Sequence, residues 1–185
     1  MQTKVNDINE KLNKPIVLIG HMAVGKTKLG RILAKVLGRP FYDADHEIEK
    51  AAGMTIPQIF EQLGEAEFRE GERKVLKRLI EEHSNAVIST GGGAILNEET
   101  RERVFTKALS IWIRADIDTI LKRSMKKKGS RPLLAVADPK KKLEELAQIR
   151  DPIYKRANIQ LESDEGQVSV LQEIMVNRIY ECLEK

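Results

Sequence analysis

Cysteine is nearly absent from this chain: Cys182 stands alone among 185 residues, so no disulfide can close within it and no thiolate cluster can hold a metal. Aromatic residues are also scarce, at 4% (four Phe, three Tyr, one Trp). None alternates with basic residues to build the stacking platform that single-stranded nucleic acid requires. Long hydrophobic runs are missing, which excludes a conventional membrane-spanning helix. The polar stretch over residues 1–13 has no apolar segment or small-residue cleavage site, so no secretory signal is expected. Nor is there a large excess of one charge, because 32 basic residues face 28 acidic ones for a formal net charge of +4. What remains, 41% apolar and 32% charged residues, is the profile of one globular domain spanning residues 1–185, expected to be cytoplasmic and monomeric. Cys182 lies among apolar residues of the last helical pattern and reads as a reduced packing residue.

The small basic excess is local. Lys122, Arg123, Lys126, Lys127, Lys128 and Arg131 fall together, followed by Lys140, Lys141 and Lys142. A polyphosphate ligand accounts for such a cluster better than nucleic acid or a membrane surface does.

Residues 15–20 form a short apolar run ending in Gly20, as expected of a strand buried on both faces of a parallel sheet. Leu29, Ile32, Leu33, Val36 and Leu37 then recur at helical spacing, and Gly38 closes that helix. A second strand is expected over residues 39–43. A helical stretch between Ile48 and His83 follows, broken near Gly53 and Gly64, with Pro57 in a first turn. Further strands are expected over 86–90, 108–113 and 158–161, and a packed terminal helix over 168–183. Alternating strands and helices predict an α/β fold: a three-layer α/β/α sandwich on a five-stranded parallel sheet. Residues 14–42 and 85–185 would form a nucleotide-binding core, 43–84 an insertion, and about 124–141 a mobile lid.

Gly20, His21, Met22, Ala23, Val24, Gly25, Lys26 and Thr27 match G-x-x-x-x-G-K-[ST], with a buried strand before and an amphipathic helix after. Glycines let the backbone curl so that amide N–H groups converge on an anion at the helix N-terminus. Lys26 can reach β and γ phosphates, and Thr27 presents a hydroxyl to Mg²⁺. His21, lacking a partner in the sequence, reads as a solvent-facing spacer.

The acceptor side carries three constellations. Asp43 and Asp45 would face one cleft if the backbone stays extended, one holding metal-bound water and the other orienting a substrate hydroxyl; helix capping is the alternative. Arg69, with Glu72 three residues on along the same helix face, can grip a substrate carboxylate or form an ordinary surface ion pair. Gly91, Gly92 and Gly93 end a strand and imply either close approach of a ligand to the backbone or a plain turn.

Taken in order, these pieces resemble the shikimate kinase family from end to end: residues 20–27; Phe41, Tyr42, Asp43 and Asp45 with Glu47, Ile48 and Glu49; Phe68 and Arg69; the triple glycine; Arg131, Pro132, Leu133 and Leu134; and Arg150, Asp151, Pro152, Ile153 and Tyr154. The resemblance implies a P-loop kinase that transfers the γ-phosphoryl group of ATP to the 3-hydroxyl of shikimate, on the way to chorismate and aromatic amino acids. It implies ATP contacts from Gly20, Ala23, Val24, Gly25, Lys26, Thr27 and Lys28, with Arg131 closing over the phosphates. Arg123 and the loop around residues 163–166 would flank the adenine, and Thr27 and Asp43 would serve Mg²⁺, with Ser89 beside them. Asp45 would hold the shikimate hydroxyls as the candidate base, Arg69 and Arg150 would clamp the carboxylate, and the amides of Gly91, Gly92 and Gly93 would complete the pocket. Lys26, Asp45 and Arg131 are thus the expected catalytic residues. Two alternatives remain: a related kinase acting on another hydroxylated acceptor such as gluconate, and a noncatalytic nucleotide-switched module that binds RNA through the basic segment.

Overall fold

The computed structural model describes residues 1–125, 137–163 and 168–184. Strand β1 (Ile16–Ile19) has every residue buried, because its four apolar side chains alternate between two cores. Ile16 and Leu18 join one, Val17 and Ile19 the other. β3 (Val87–Ser89) and β4 (Leu109–Arg114) flank it, with β2 (Phe41–Asp43) and β5 (Ile159–Glu162) at the edges. All four pairings are parallel, with Ile16 facing both Val87 and Leu109. Parallel strands need crossovers, and these supply the two helical layers.

On one face, α1 (Gln2–Lys11), α2 (Lys26–Leu37) and α9 (Val168–Leu183) enclose a core of Ile8, Leu33, Ile111 and Ile179. On the other, α3 (Ala44–Ala52), α4 (Ile56–Gln62), α5 (Gly64–Glu82) and α6 (Glu98–Lys107) cover Ile88 and Trp112. α7 (Ile117–Met125) and α8 (Pro139–Tyr154) complete the α-helices among the described residues. The three-layer sandwich on a five-stranded parallel sheet is therefore present among the described residues. The strand order β2-β3-β1-β4-β5 places successive connections of β1 and β3 on opposite sides, so a crevice opens at their carboxyl ends.

Helix ends follow local chemistry. Gly38 closes α2 in the left-handed region, at φ 64°, where a Cβ would be strained. Pro57 sits in the first turn of α4, and the Gln58 side chain accepts the Thr55 amide at 2.9 Å.

Two stretches differ from the sequence reading. The second strand begins at Phe41, because the Arg39 amide bonds the Ala34 carbonyl at 2.9 Å and ends α2. The Arg39 side chain reaches Asn9 and the Leu12 carbonyl, where a strand would turn it elsewhere. The polar N-terminal stretch is helical, and Val5, Ile8 and Leu12 join the same core as the central strand; three apolar residues at helical spacing suffice to dock it. Of the lid over about 124–141, residues 126–136 lie outside the described residues, Arg131 and the lysines 126–128 among them. Its expected ends are helical, with Met125 closing α7 and Asp138 capping α8 through the Lys141 amide at 3.0 Å. No helix among the described residues is long and apolar enough to cross a membrane.

Candidate active site

A cavity of about 560 Å³ opens at the carboxyl ends of β1, β2 and β3. One wall comes from the loop that runs from Gly20 to Thr27. Gly20 has φ 139°, and a Cβ there would stand 2.3 Å from the Ile113 carbonyl oxygen. Only glycine lets this loop leave the sheet so close to β4. Ala23 takes φ 61°, unusual for a residue with a side chain, and Gly25 precedes α2 at φ 97°. Ala23, Gly25, Lys26, Thr27 and Lys28 line the cavity. Val24 does not, since its side chain is fully buried in the core beside α2 and only its backbone is available to a ligand. The Lys26 ammonium donates to the carbonyls of Gly20 at 2.9 Å and His21 at 2.7 Å, which holds a buried cation at the mouth of the loop. Arg123 donates to the Ser163 hydroxyl at 3.0 Å and carbonyl at 3.1 Å, on the Gly25 side of the cavity. Of the loop expected to flank the adenine, residues 164–166 lie outside the described residues.

Thr27 and Asp43 meet directly: the hydroxyl donates to Asp43 Oδ2 at 2.7 Å. Asp43 Oδ1 accepts the amides of Asp45 and His46 and caps α3. Capping and a role facing the cavity therefore coexist on one carboxylate. Asp45 shares the cavity for a different reason from the one expected: the backbone leaves the strand at Ala44, and Asp45 lies in the first turn of α3. Two neighbouring oxygen ligands suit Mg²⁺, which keeps most of its waters and fills its remaining positions from phosphates. Among the described residues no group of three or more His, Cys, Asp or Glu is placed to hold a metal by protein side chains alone.

On another wall of the cavity, Arg69 of α5 donates to Glu72 at 2.8 Å and to Glu65 at 3.1 and 3.3 Å. Its two terminal nitrogens each retain a second N–H. Arg150 of α8 is only 3% exposed, and its Nε and Nη1 have no hydrogen-bond partner among the described residues. Oε1 of buried Glu72 is likewise unpartnered. Unsatisfied buried donors and acceptors are costly, so their concentration here marks a place built for a polar ligand. The triple glycine runs between them. A Cβ on Gly91 would press Glu72 Oε1 at 2.6 Å and Asp45 Oδ1 at 3.0 Å, and one on Gly93 would press Arg69 at 2.9 Å. The turn is tightly packed against the charged groups. Burial, then the neighbouring Asp43, pushes the Asp45 carboxyl above its ordinary value, with Lys26 opposing. Burial raises Glu72 as well, against the pull of Arg69.

The structure brings together Lys26, Thr27, Asp43, Asp45, Arg69, Gly91, Gly92, Gly93, Arg123 and Arg150 around one cavity, with Ser89 on its wall. His21 is corrected: it is 7% exposed, and its Nε2 lies 2.7 Å from Asp151 Oδ1. The partner is 130 residues away in sequence, beyond any local pattern. Sequence reasoning named Pro57 and Phe68 but missed the apolar wall they form with Ile56 and Phe60 of the inserted helices. The helical spacing of these residues was visible, but it reads equally as core.

A family model described as shikimate kinase matches residues 22–183. A shikimate kinase of Caulobacter vibrioides is 50% identical over 150 residues, 81% of this chain and 74% of the relative. One from Ruegeria pomeroyi is 45% identical over 172 residues, covering 93% and 86% respectively. The solved structure of a shikimate kinase from Acinetobacter baumannii in complex with shikimate superposes with a TM-score of 0.83 at 40% identity, covering 89% of this chain and 92% of that one. A match running through the donor loop, the inserted helices and the final helix leaves one assignment: the chain belongs to the shikimate kinase family.

Proposed function

We propose that this protein is a shikimate kinase, transferring the γ-phosphoryl group of ATP to the 3-hydroxyl of shikimate and releasing shikimate 3-phosphate, ADP and a proton. One observation carries the substrate assignment. Arg69 and Arg150, with N–H groups that have no partner among the described residues, flank a glycine turn and a half-buried aspartate in the cavity that the phosphate loop also lines. A compact carboxylate with ring hydroxyls satisfies all of them together.

In this reading the two guanidiniums hold the carboxylate, and Asp45 accepts a hydrogen bond from the attacking hydroxyl and orients it in line with the γ phosphorus. The amides at Gly91, Gly92 and Gly93 close the acceptor side. Lys26 turns from its two carbonyl partners to the β and γ phosphates. Arg123 stands beside Ser163 and Gly25 on the nucleotide side, and the family resemblance gives Arg131, which lies outside the described residues, the role of adding positive charge at the phosphates. Thr27 and Asp43 would hold Mg²⁺, which when bound would neutralise charge on the transferring group. Positioning and charge neutralisation are most of what phosphoryl transfer demands of a protein.

The test is acceptor-dependent ADP release by the purified chain with shikimate or gluconate at equal concentration. Shikimate should be turned over and gluconate should not. Turnover of gluconate alone would overturn the assignment. Salt-sensitive RNA binding without acceptor-dependent ADP release would favour a nucleotide-switched module instead.

A further inference from the structure

We propose that His21 and Asp151 are positioning residues that tie the nucleotide loop to the acceptor-side arginine, so that engagement of nucleotide sets the position of Arg150. The inference rests on the donor and acceptor ends proposed above. It begins from a polar contact at the donor loop that the proposed chemistry does not use.

One turn of α8 carries three groups. Arg150 enters the acceptor cavity. Asp151 accepts from the His21 imidazole at 2.7 Å, and Tyr154 donates to the Gly92 carbonyl at 2.5 Å. The same Tyr154 ring meets His21 edge-on at 5.2 Å and packs against Trp112 at 5.7 Å. A Cβ on Gly92 would stand 3.1 Å from the Met22 amide nitrogen and 3.5 Å from Arg150 Nη1. The donor loop, the glycine turn and the arginine therefore meet at one spot, and α8 holds all three.

His21 is the hinge of this arrangement. Its carbonyl accepts from the Lys26 ammonium at 2.7 Å while its side chain is gripped by α8. When Lys26 turns toward phosphate, the His21 peptide loses that donor, and its shift is passed through the imidazole to Asp151 and the adjacent Arg150. Burial keeps the imidazole neutral by lowering its pKa, with Arg150 and Lys26 adding to the effect and Asp151 opposing it. The ring is then an N–H donor to the carboxylate. The Asp151 side chain is 39% exposed, so burial alone does not require a carboxylate there.

The experiment is amide hydrogen exchange over residues 148–158 of the full chain, with and without saturating MgADP, paired with steady-state kinetics. In the wild type MgADP should slow exchange in this turn. Asp151→Ala should keep its MgADP affinity within about threefold yet lose most of that slowing, and should raise the shikimate KM about tenfold with little change in kcat, on the scale of one hydrogen bond to a charged group. Asp151→Asn, which keeps an acceptor for the imidazole, should restore both. His21→Gln, which keeps an N–H donor, gives a second route should Asp151→Ala not fold, and it should retain part of the response. A wild type whose exchange in this turn ignores MgADP overturns the inference, as does an Asp151→Ala variant that responds like wild type. A wild type that responds to MgADP but does not bind shikimate refutes the proposed function and still supports the link.

Discussion

Gly93→Ala separates the steric role of the glycine turn from its backbone role. Gly93 has φ −109° and ψ −5°, which alanine adopts readily. The added methyl would meet Arg69 Nη1 at 2.9 Å, Nη2 at 3.2 Å and Cζ at 3.3 Å. The guanidinium must retreat by about half an ångström to restore ordinary contact. It can do so, being 31% exposed at the end of a flexible side chain, so folding stability should change by no more than about 0.5 kcal/mol. The retreat spoils its paired geometry toward a substrate carboxylate. Losing one charge-assisted hydrogen bond costs about 1.5–3 kcal/mol, or roughly ten- to a hundredfold in binding. The carboxylate is remote from the reacting hydroxyl and is held alike in ground and transition states, so the loss should fall on the shikimate KM, with kcat within about threefold. Initial rates of ADP release with shikimate varied at saturating ATP measure it, with a thermal melt as control. An unchanged shikimate KM, or an equal rise in the KM for ATP, would refute the placement of Arg69.

Asp45→Asn should lower kcat by about a hundredfold or more while leaving ADP affinity largely intact; near-normal kcat would reject its role at the acceptor hydroxyl. The same variant should melt higher than wild type at neutral pH. Burial raises the folded-state pKa of Asp45 above its unfolded value, so the folded chain keeps this proton longer. Its contribution to stability is thus intact below the unfolded pKa and lost as pH rises through the folded one. The gap in Tm should close in acid, and equal melting at neutral pH would refute the claim. Gly20→Ala should lose more than about 3 kcal/mol and melt roughly 10 °C lower. Its methyl would collide with a backbone oxygen 2.3 Å away at φ 139°, and neither can move without disturbing the pairing of β1 with β4. A melt within a few degrees of wild type would contradict that.

The elements legible in advance were those whose causes are local. β1 is a continuous apolar run, α2 carries its stripe and closing glycine, and the break at Gly53 is a left-handed helix end at φ 66°. The phosphate loop was legible because its chemistry depends on backbone conformation over eight consecutive residues. Less legible were features whose partners are distant. The helix at residues 2–11 reads as polar because only Val5 and Ile8 are buried in it. The second strand lost its first two residues to a capping contact and to the Arg39 bonds with Asn9 and Leu12.

By itself the sequence determined the alternation of strands and helices beyond residue 15, the phosphate loop and the residue types available for the acceptor, since periodicity, glycine and proline act within a few residues of themselves. It also placed Arg69 beside Glu72, because residues three apart on a helix share a face. Only the tertiary structure decided that Arg150 meets the glycine turn with donors unspent, that Asp45 enters the cleft from a helix, and that His21 is buried against Asp151. Those outcomes depend on how the crossovers stack helices against the sheet, and that packing joins residues distant in sequence, His21 and Asp151 by 130 positions.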